Sequence, residues 1–173
     1  MCVFYHSDHF FFIYKDYSNY NAHMRFDRTD RHILSELQRK GRLPIVDLAG
    51  RVGLSSSPCL RRVRQLEKQG VIKGYGAFID HHKLGMDIVG YIEVNLDQAD
   101  TEAFHVAVLK EPAIIECYAL SGSFDYLLKV AVSDLEAFGE LTMRKILRYP
   151  GVNSITSSLI LQALKEQVGF PVL

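Results

Sequence analysis

Ser57, Arg61, Arg64 and Lys68 recur at helical spacing within residues 44–72, with Ser56 and Gln65 beside them. Hydroxyl, amide and guanidinium groups gathered on one helical face suit the reading of base edges. An arginine bidentate on guanine contributes about 1–3 kcal/mol of discrimination. This assigns Ser56, Ser57, Arg61, Arg64 and Gln65 to base edges. Arg51, Arg62, Lys68 and Lys73 are assigned to phosphates or flanking grooves, which position a protein without specifying sequence. Arg62 sits closer to the apolar stripe, so a structural role competes with a phosphate contact there. The bland alternative for the whole face is ordinary solvation. A solvated face mixes signs, whereas residues 51–73 carry six Lys/Arg and the single acid Glu67.

The helix that presents this face has a matching apolar stripe: Cys59, Val63, Leu66 and Gly70, with Leu60 adjacent. Ser55 is a suitable N-cap, its hydroxyl able to accept from a first-turn amide, and it joins the candidate DNA-contacting set. Pro58 falls where a missing N–H costs little, and Gly70 suits the position after the last turn. The preceding helix, with Pro44 near its first position, is expected to bury Val46, Leu48, Ala49 and Val52. Two helices joined through Gly53-Leu54-Ser55 make a helix-turn-helix. A further helix over 29–40 turns Ile33, Leu34 and Leu37 inward and stops at Gly41. Residues 71–79, with Gly74 and Gly76, are expected to fold as a short β-hairpin, the wing of a winged helix. Residues 80–87 read as a polar linker in which His81 and His82 are solvated.

Charge is divided along the chain. Its 173 residues have no net charge, yet residues 1–87 hold 14 Lys/Arg against nine Asp/Glu, and residues 88–173 hold six against 11. A basic half can neutralise phosphates, and an acidic half must do something else. That second half alternates strand and helix: strands over 88–96, 114–120 and 125–132, a last strand within 152–164, and helices over 101–110 and 135–147. Phe104, Ala107 and Val108 point inward from the first helix, and Leu135, Phe138, Leu141 and Ile146 from the second. The order βαββαβ is the ferredoxin-like arrangement, so the class is α+β. Its helices cover one sheet face only, which predicts self-association through the other.

Several classes are excluded. No apolar run approaches the roughly 18 residues of a membrane span. Cys2, Cys59 and Cys117 are few, odd in number and far apart. Neither a disulfide framework nor a zinc site is expected, nor any cofactor, and this usage fits a reducing cytoplasm. Residues 1–23 stand apart, with eight of the 19 Phe and Tyr and no signal-peptide pattern. They read as an atypical extension, with Met24 an alternative start. The divisions expected are 1–23, a DNA-binding domain over 24–79, the linker 80–87 and a second domain over 88–173.

Four segments carry a family resemblance. They are Asp27-x-x-Asp30-x-x-Ile33-Leu34, the run from Val52 to Ile72 with Pro58-Cys59 and Arg62-Val63, the run Glu116-Cys117-Tyr118-x-Leu120-Ser121-Gly122-x-Phe124-Asp125-Tyr126-Leu127-Leu128, and Pro150-Gly151-Val152. In this order they resemble the leucine-responsive and asparagine regulator (Lrp/AsnC) family of transcription factors. The resemblance implies a winged helix-turn-helix on double-stranded DNA and an ACT-like, ligand-sensing ferredoxin-like domain. It also implies dimers assembling to tetramers or octamers. An amino acid or related metabolite is expected near the loop before the third strand, which here holds Ser121, Gly122, Ser123, Asp125 and Tyr126. Gly122 would allow close backbone approach, and Asp125 could accept from a ligand ammonium or cap the turn. Thr156 and Ser157 stand where relatives place effector-contacting hydroxyls. Ser123 stands where many relatives carry an acidic or other polar residue.

Two alternatives come from other classes. Proteins of similar architecture decarboxylate siroheme, but such an enzyme needs a His/Arg pocket and no basic recognition helix, and His105 is the only histidine after the linker. No nucleophile triad, phosphate loop or metal spacing favours an enzyme. The other alternative is a ligand-binding assembly protein with a silent DNA head.

Overall fold

The computed structural model describes residues 26–97, 101–165 and 169–172. The expected extension over residues 1–23 lies outside them. Two compact units divide the chain: residues up to Gly76 together with 169–172, and residues 77–165.

In the first unit Asp27 starts α1 (Arg28–Arg39) by accepting from the Asp30 amide at 2.8 Å. Pro44 precedes α2 (Ile45–Val52), and Gly53, at φ 69°, ends it in the left-handed region that glycine enters without strain. Ser55 then precedes α3 (Ser56–Lys68). Ile33, Leu43, Leu48, Ala49, Cys59, Val63 and Leu66 form the core where the three helices meet. Val46, expected inside, is 70% exposed. Ile45, Leu48, Ala49 and Val52 already satisfy the i, i+3, i+4, i+7 stripe, and Val46 lies about 100° around the helix from it.

The short hairpin expected over residues 71–79 does not form: these residues carry no strand and join no ladder. A tight hairpin needs positive φ at its turn, and neither Gly74 nor Gly76 adopts it. Tyr75 instead anchors the segment, its hydroxyl donating to Glu67 on α3 at 2.9 Å.

The second unit opens with a 3-10 turn over His81–Leu84, capped by Asp80. There His82 meets Asp87 at 2.9 Å, so part of the expected linker is ordered. β1 (Ile88–Leu96), α4 (Thr101–Lys110), β2 (Ile114–Ala119), β3 (Tyr126–Val132), α5 (Leu135–Gly139) and β4 (Val152–Leu159) follow. The sheet order is β2-β3-β1-β4 with every pairing antiparallel, the split βαβ arrangement. β2 ends one residue before the expected Leu120, and β4 falls within the expected residues 152–164. Ile92, Val94, Leu128, Val130 and Val132 pack on Phe104, Val108, Phe138, Leu141 and Ile146. Gly90 permits this closeness, since a Cβ there would lie 2.8 Å from the Ser158 carbonyl and 3.0 Å from the Phe138 ring.

Leu135, expected inside, is 61% exposed. α5 continues through a π-helical stretch over Glu140–Lys145 into a 3-10 turn over Ile146–Arg148. The five-residue step from Leu141 to Ile146 matches the i→i+5 repeat of that wider turn, so both side chains reach the core. Thr142, buried in the same stretch, donates to the Phe138 carbonyl at 2.8 Å.

Candidate nucleic-acid interface and effector loop

Along α3, Ser55, Ser56, Ser57, Arg61, Arg64, Gln65 and Lys68 are exposed, as is Lys73 beyond its end. The Ser55 hydroxyl makes no capping bond, although its backbone is extended as an N-cap requires. Among the described residues no ion pair engages Arg61, Arg64, Lys68 or Lys73. The acids of this unit mostly have internal partners. Asp27 and Asp30 hold Arg62, Glu36 holds Arg51 and Glu67 accepts from Tyr75.

Two of the residues expected at DNA have carboxylate partners within the chain. The Arg62 Nη1 atom lies 2.7 Å from Asp27 and 2.8 Å from Asp30, pinning the middle of α3 to the first turn of α1. The Asp30 amide and the Arg62 guanidinium keep the Asp27 carboxyl below its ordinary pKa, and the two acids raise that of Arg62. Arg51 reaches Glu36 at 2.8 Å and ties α2 to α1, and this pairing lowers the Glu36 pKa. The clue available in the sequence was Asp27-x-x-Asp30. An i, i+3 acid pair shares a helix face and accepts a guanidinium. Partial burial, followed by its bond to Glu67, pushes the Tyr75 hydroxyl up to about 12, so it remains a donor.

In the second unit, residues 120–125 connect β2 to β3. Ser121, Gly122 and Ser123 are exposed there. Gly122 does not have positive φ, and a Cβ at this position would meet open space, so this chain's own backbone does not demand glycine. Asp125 anchors the loop to β1: its Oδ2 accepts from the Leu96 amide at 2.8 Å, and its own amide donates to the Val94 carbonyl at 3.0 Å. This bond to β1, rather than a cap on the local turn, occupies one carboxylate oxygen.

Tyr126, also expected at the effector, packs against α4. Its ring lies 4.9 Å from that of Phe104, and its hydroxyl is 2.7 Å from His105 Nε2. Sequence reasoning set His105 aside, yet it is half-buried, and burial draws its pKa below the ordinary value while Glu102 opposes the shift. Thr156 and Ser157 part company. Thr156 pairs in register with Glu93 on the sheet face away from the helices, whereas Ser157 pairs with the buried Ile92 on the opposite face. Adjacent strand residues cannot share one face.

The outer sheet face also carries Tyr91, Glu116, Tyr118, Leu127 and Lys129, by register. Lys129 pairs with Glu116 at 3.2 Å, and Glu116 accepts from Tyr118 at 2.9 Å. Among the described residues no group of three or more His, Cys, Asp or Glu could hold a metal ion. Nor is any described helix long and apolar enough to cross a membrane.

Comparison with known proteins agrees with this two-part arrangement. Residues 26–73 match the family model for a winged helix-turn-helix DNA-binding domain, and residues 89–170 match that of the Lrp/AsnC ligand binding domain. The leucine-responsive regulatory protein of Escherichia coli is 44% identical over 143 residues, 81% of this chain and 87% of that protein. A transcriptional regulator of Neisseria meningitidis, solved as an L-Met complex, has a TM-score of 0.82 at 37% identity, covering 85% of this chain and 97% of its own. An AsnC family regulator from Agrobacterium tumefaciens has a TM-score of 0.77 at 32% identity, covering 84% and 97%. Such relatives are regulators with a DNA-binding head, which sets aside the enzyme alternative. On both family models and this extent of identity, the chain belongs to the Lrp/AsnC family of transcriptional regulators.

Proposed function

We propose that this regulator reads a symmetric operator with α3 and changes its DNA occupancy on binding an amino acid with an apolar side chain. The observation that carries the first part is the unpaired cationic face of Arg61, Arg64 and Lys68, on a unit whose acids are mostly engaged internally. Ser56, Ser57, Arg61, Arg64 and Gln65 face base edges, and Lys68 and Lys73 face phosphates.

The effector class is supported by the relatives, one named for its leucine response and one solved with L-methionine. The second Asp125 oxygen would accept from the ligand ammonium, with Ser121, Ser123 and Thr156 as hydroxyl partners. Homodimers form by burying the outer sheet face of two copies, where Tyr91, Tyr118 and Leu127 surround the Glu116–Lys129 pair, and dimers assemble further. No cofactor takes part, and the site of action is the cytoplasm, where the DNA target lies.

Selection of binding sites from random DNA, repeated with each of the twenty amino acids, tests this reading. The expected result is a two-fold symmetric consensus whose affinity shifts with leucine or methionine. Binding without sequence preference, or an affinity indifferent to every amino acid, would count against the corresponding half.

A further inference from the structure

Residues 26–76 hold 11 Lys/Arg against five Asp/Glu. Arg61, Arg64, Lys68 and Lys73 belong to the DNA-reading face proposed above, and Arg51 and Arg62 are held by acids of the α1 region. The other five, Arg28, Arg31, Arg39, Lys40 and Arg42, lie on α1 or just beyond its end, and all are exposed. Arg28, His32, Ser35 and Arg39 recur at i, i+4, i+7 and i+11, with Arg31 beside them. They share the side of α1 opposite Ile33 and Leu37. Arg28 and Arg39 stand about 16 Å apart along the helix axis. The acids nearby do not neutralise this stripe. Asp27 and Asp30 hold Arg62, and Glu36 holds Arg51. Among the described residues the stripe has one ion pair, Arg39 with Glu36 at 3.9 Å. Residues 169–172 touch α1 at Gln38, on the margin of the stripe, and leave its cations exposed.

We propose that the outer stripe of α1 is a second, sequence-independent DNA site, which holds the phosphate backbone of a duplex stretch other than the one on α3. This rests on DNA being the ligand of the unit, and not on α3 being the helix that reads bases. Guanidinium groups grip phosphate oxygens through paired N–H donors. The span of about 16 Å matches the axial length of about five phosphates on one strand. The stripe carries no large exposed apolar side chain. A membrane-surface helix needs such side chains, and the core of a protein interface favours them. Backbone contacts position a duplex without reading it. α1, α2 and α3 share one core, so their outer faces point in different directions. A straight duplex lying along α3 therefore leaves the α1 stripe uncovered. One head can then hold two stretches of duplex, which folds DNA back on the protein or brings a second molecule alongside.

Titration of a labelled non-operator duplex with the full chain, between about 50 and 200 mM salt, tests the second site. The α1 variant Arg28→Gln/Arg31→Gln/Arg39→Gln keeps a strong helix former at each position. It should reduce the slope of log affinity against log salt by about 2.7, the share of three phosphates, with operator preference as in the wild type. Arg28→Lys/Arg31→Lys/Arg39→Lys keeps the charges and should restore the slope, which separates lost phosphate contacts from a damaged fold. The α3 variant Arg61→Ala/Arg64→Ala/Lys68→Ala should still bind the duplex in a salt-dependent way, and adding the α1 substitutions to Gln should abolish that remainder. An unchanged slope in the α1 variant, a slope that the substitutions to Lys do not restore, or an α3 variant with no duplex binding left overturns the proposal. If the α3 variant discriminates operator from non-operator as well as the wild type does, the α3 reading fails while the α1 slope still decides the second site.

Discussion

α3 and the loop over residues 120–125 use their charged groups in opposite ways. In the DNA-binding unit the carboxylates of Asp27, Asp30 and Glu36 face inward to Arg62 and Arg51, leaving Arg61, Arg64 and Lys68 unpaired outward. In the ligand-binding unit the groups nearest the loop serve the chain itself: Asp125 holds the Leu96 amide, and Tyr126 meets His105. One region is made reactive toward a partner by neutralising its acids. In the other, Asp125 and Tyr126 are already bonded within the chain, which leaves fewer polar atoms for a ligand.

Arg61→Ala should break the comparison most sharply. Losing a bidentate base contact relaxes operator preference by about 1–3 kcal/mol, a tenfold to hundredfold change in competitive binding. Lys68→Ala should instead reduce the slope of log affinity against log salt by about 0.9, the share of one phosphate. If neither variant changes preference or slope, α3 is not the reading surface.

Arg62→Ala tests the inward side of the same helix. It leaves Asp27 and Asp30 without their shared cation and should cost about 1–2 kcal/mol of stability, more than an isolated surface pair because one guanidinium serves two acids. For a unit of this size the thermal midpoint should fall by about 5–10 °C, with operator preference retained. A normal midpoint with a reduced salt slope would place Arg62 on DNA and erase the distinction drawn here.

The two regions also differed in how far their sequence could be read. Helical periodicity fixes direction, so the stripe of Cys59, Val63 and Leu66 and the opposing cations were legible, as was the strand order of the second unit. The partners of Arg62 were not identified in advance, because they lie 32 and 35 positions away in sequence, and the Asp27-x-x-Asp30 pair shows that a guanidinium is accepted without showing which one. The short hairpin over residues 71–79 did not form, because Gly74 and Gly76 permit a tight turn without requiring one. In the effector site Thr156 and Ser157 looked equivalent until strand register separated their faces. Tyr126 looked available until α4 packed on it. Sites assembled from loops and register depend on contacts between distant segments, whereas a recognition helix carries most of its geometry in its own spacing.

A smaller effect sharpens the loop side. Asp125→Asn retains a carbonyl that can accept from the Leu96 amide but loses the charge, so it should weaken effector binding with little change in stability. Asp125→Ala loses both and should also cost about 1 kcal/mol in the ligand-binding unit. Chemical denaturation together with calorimetric titration of leucine or methionine separates the two. Equal effector affinity in wild type and Asp125→Asn would leave Asp125 a purely structural group.

The smallest expected effect separates the two units by pH. Burial lowers the His105 pKa in the folded protein below its ordinary 6.5, so the folded state binds fewer protons there than the unfolded chain. The associated stability is therefore present in full above pH 6.5 and lost as the pH falls through the folded value. Asp27 and Glu36 have folded values below their ordinary 3.8 and 4.5. Their contribution is present above those values and is lost only in the acid range beneath them. Between about pH 6.5 and 5, the ligand-binding unit should soften while the DNA-binding unit holds. Amide exchange at pH 7.5 and 5.5 should show faster opening of α4 and β3 at the lower pH, with α1 and α3 unchanged after correction for intrinsic rates. His105→Gln can still bond Tyr126 but cannot titrate, and should remove the difference. Equal softening of both units, or a pH response that survives His105→Gln, would mean that this histidine does not set the acid sensitivity of the ligand-binding unit.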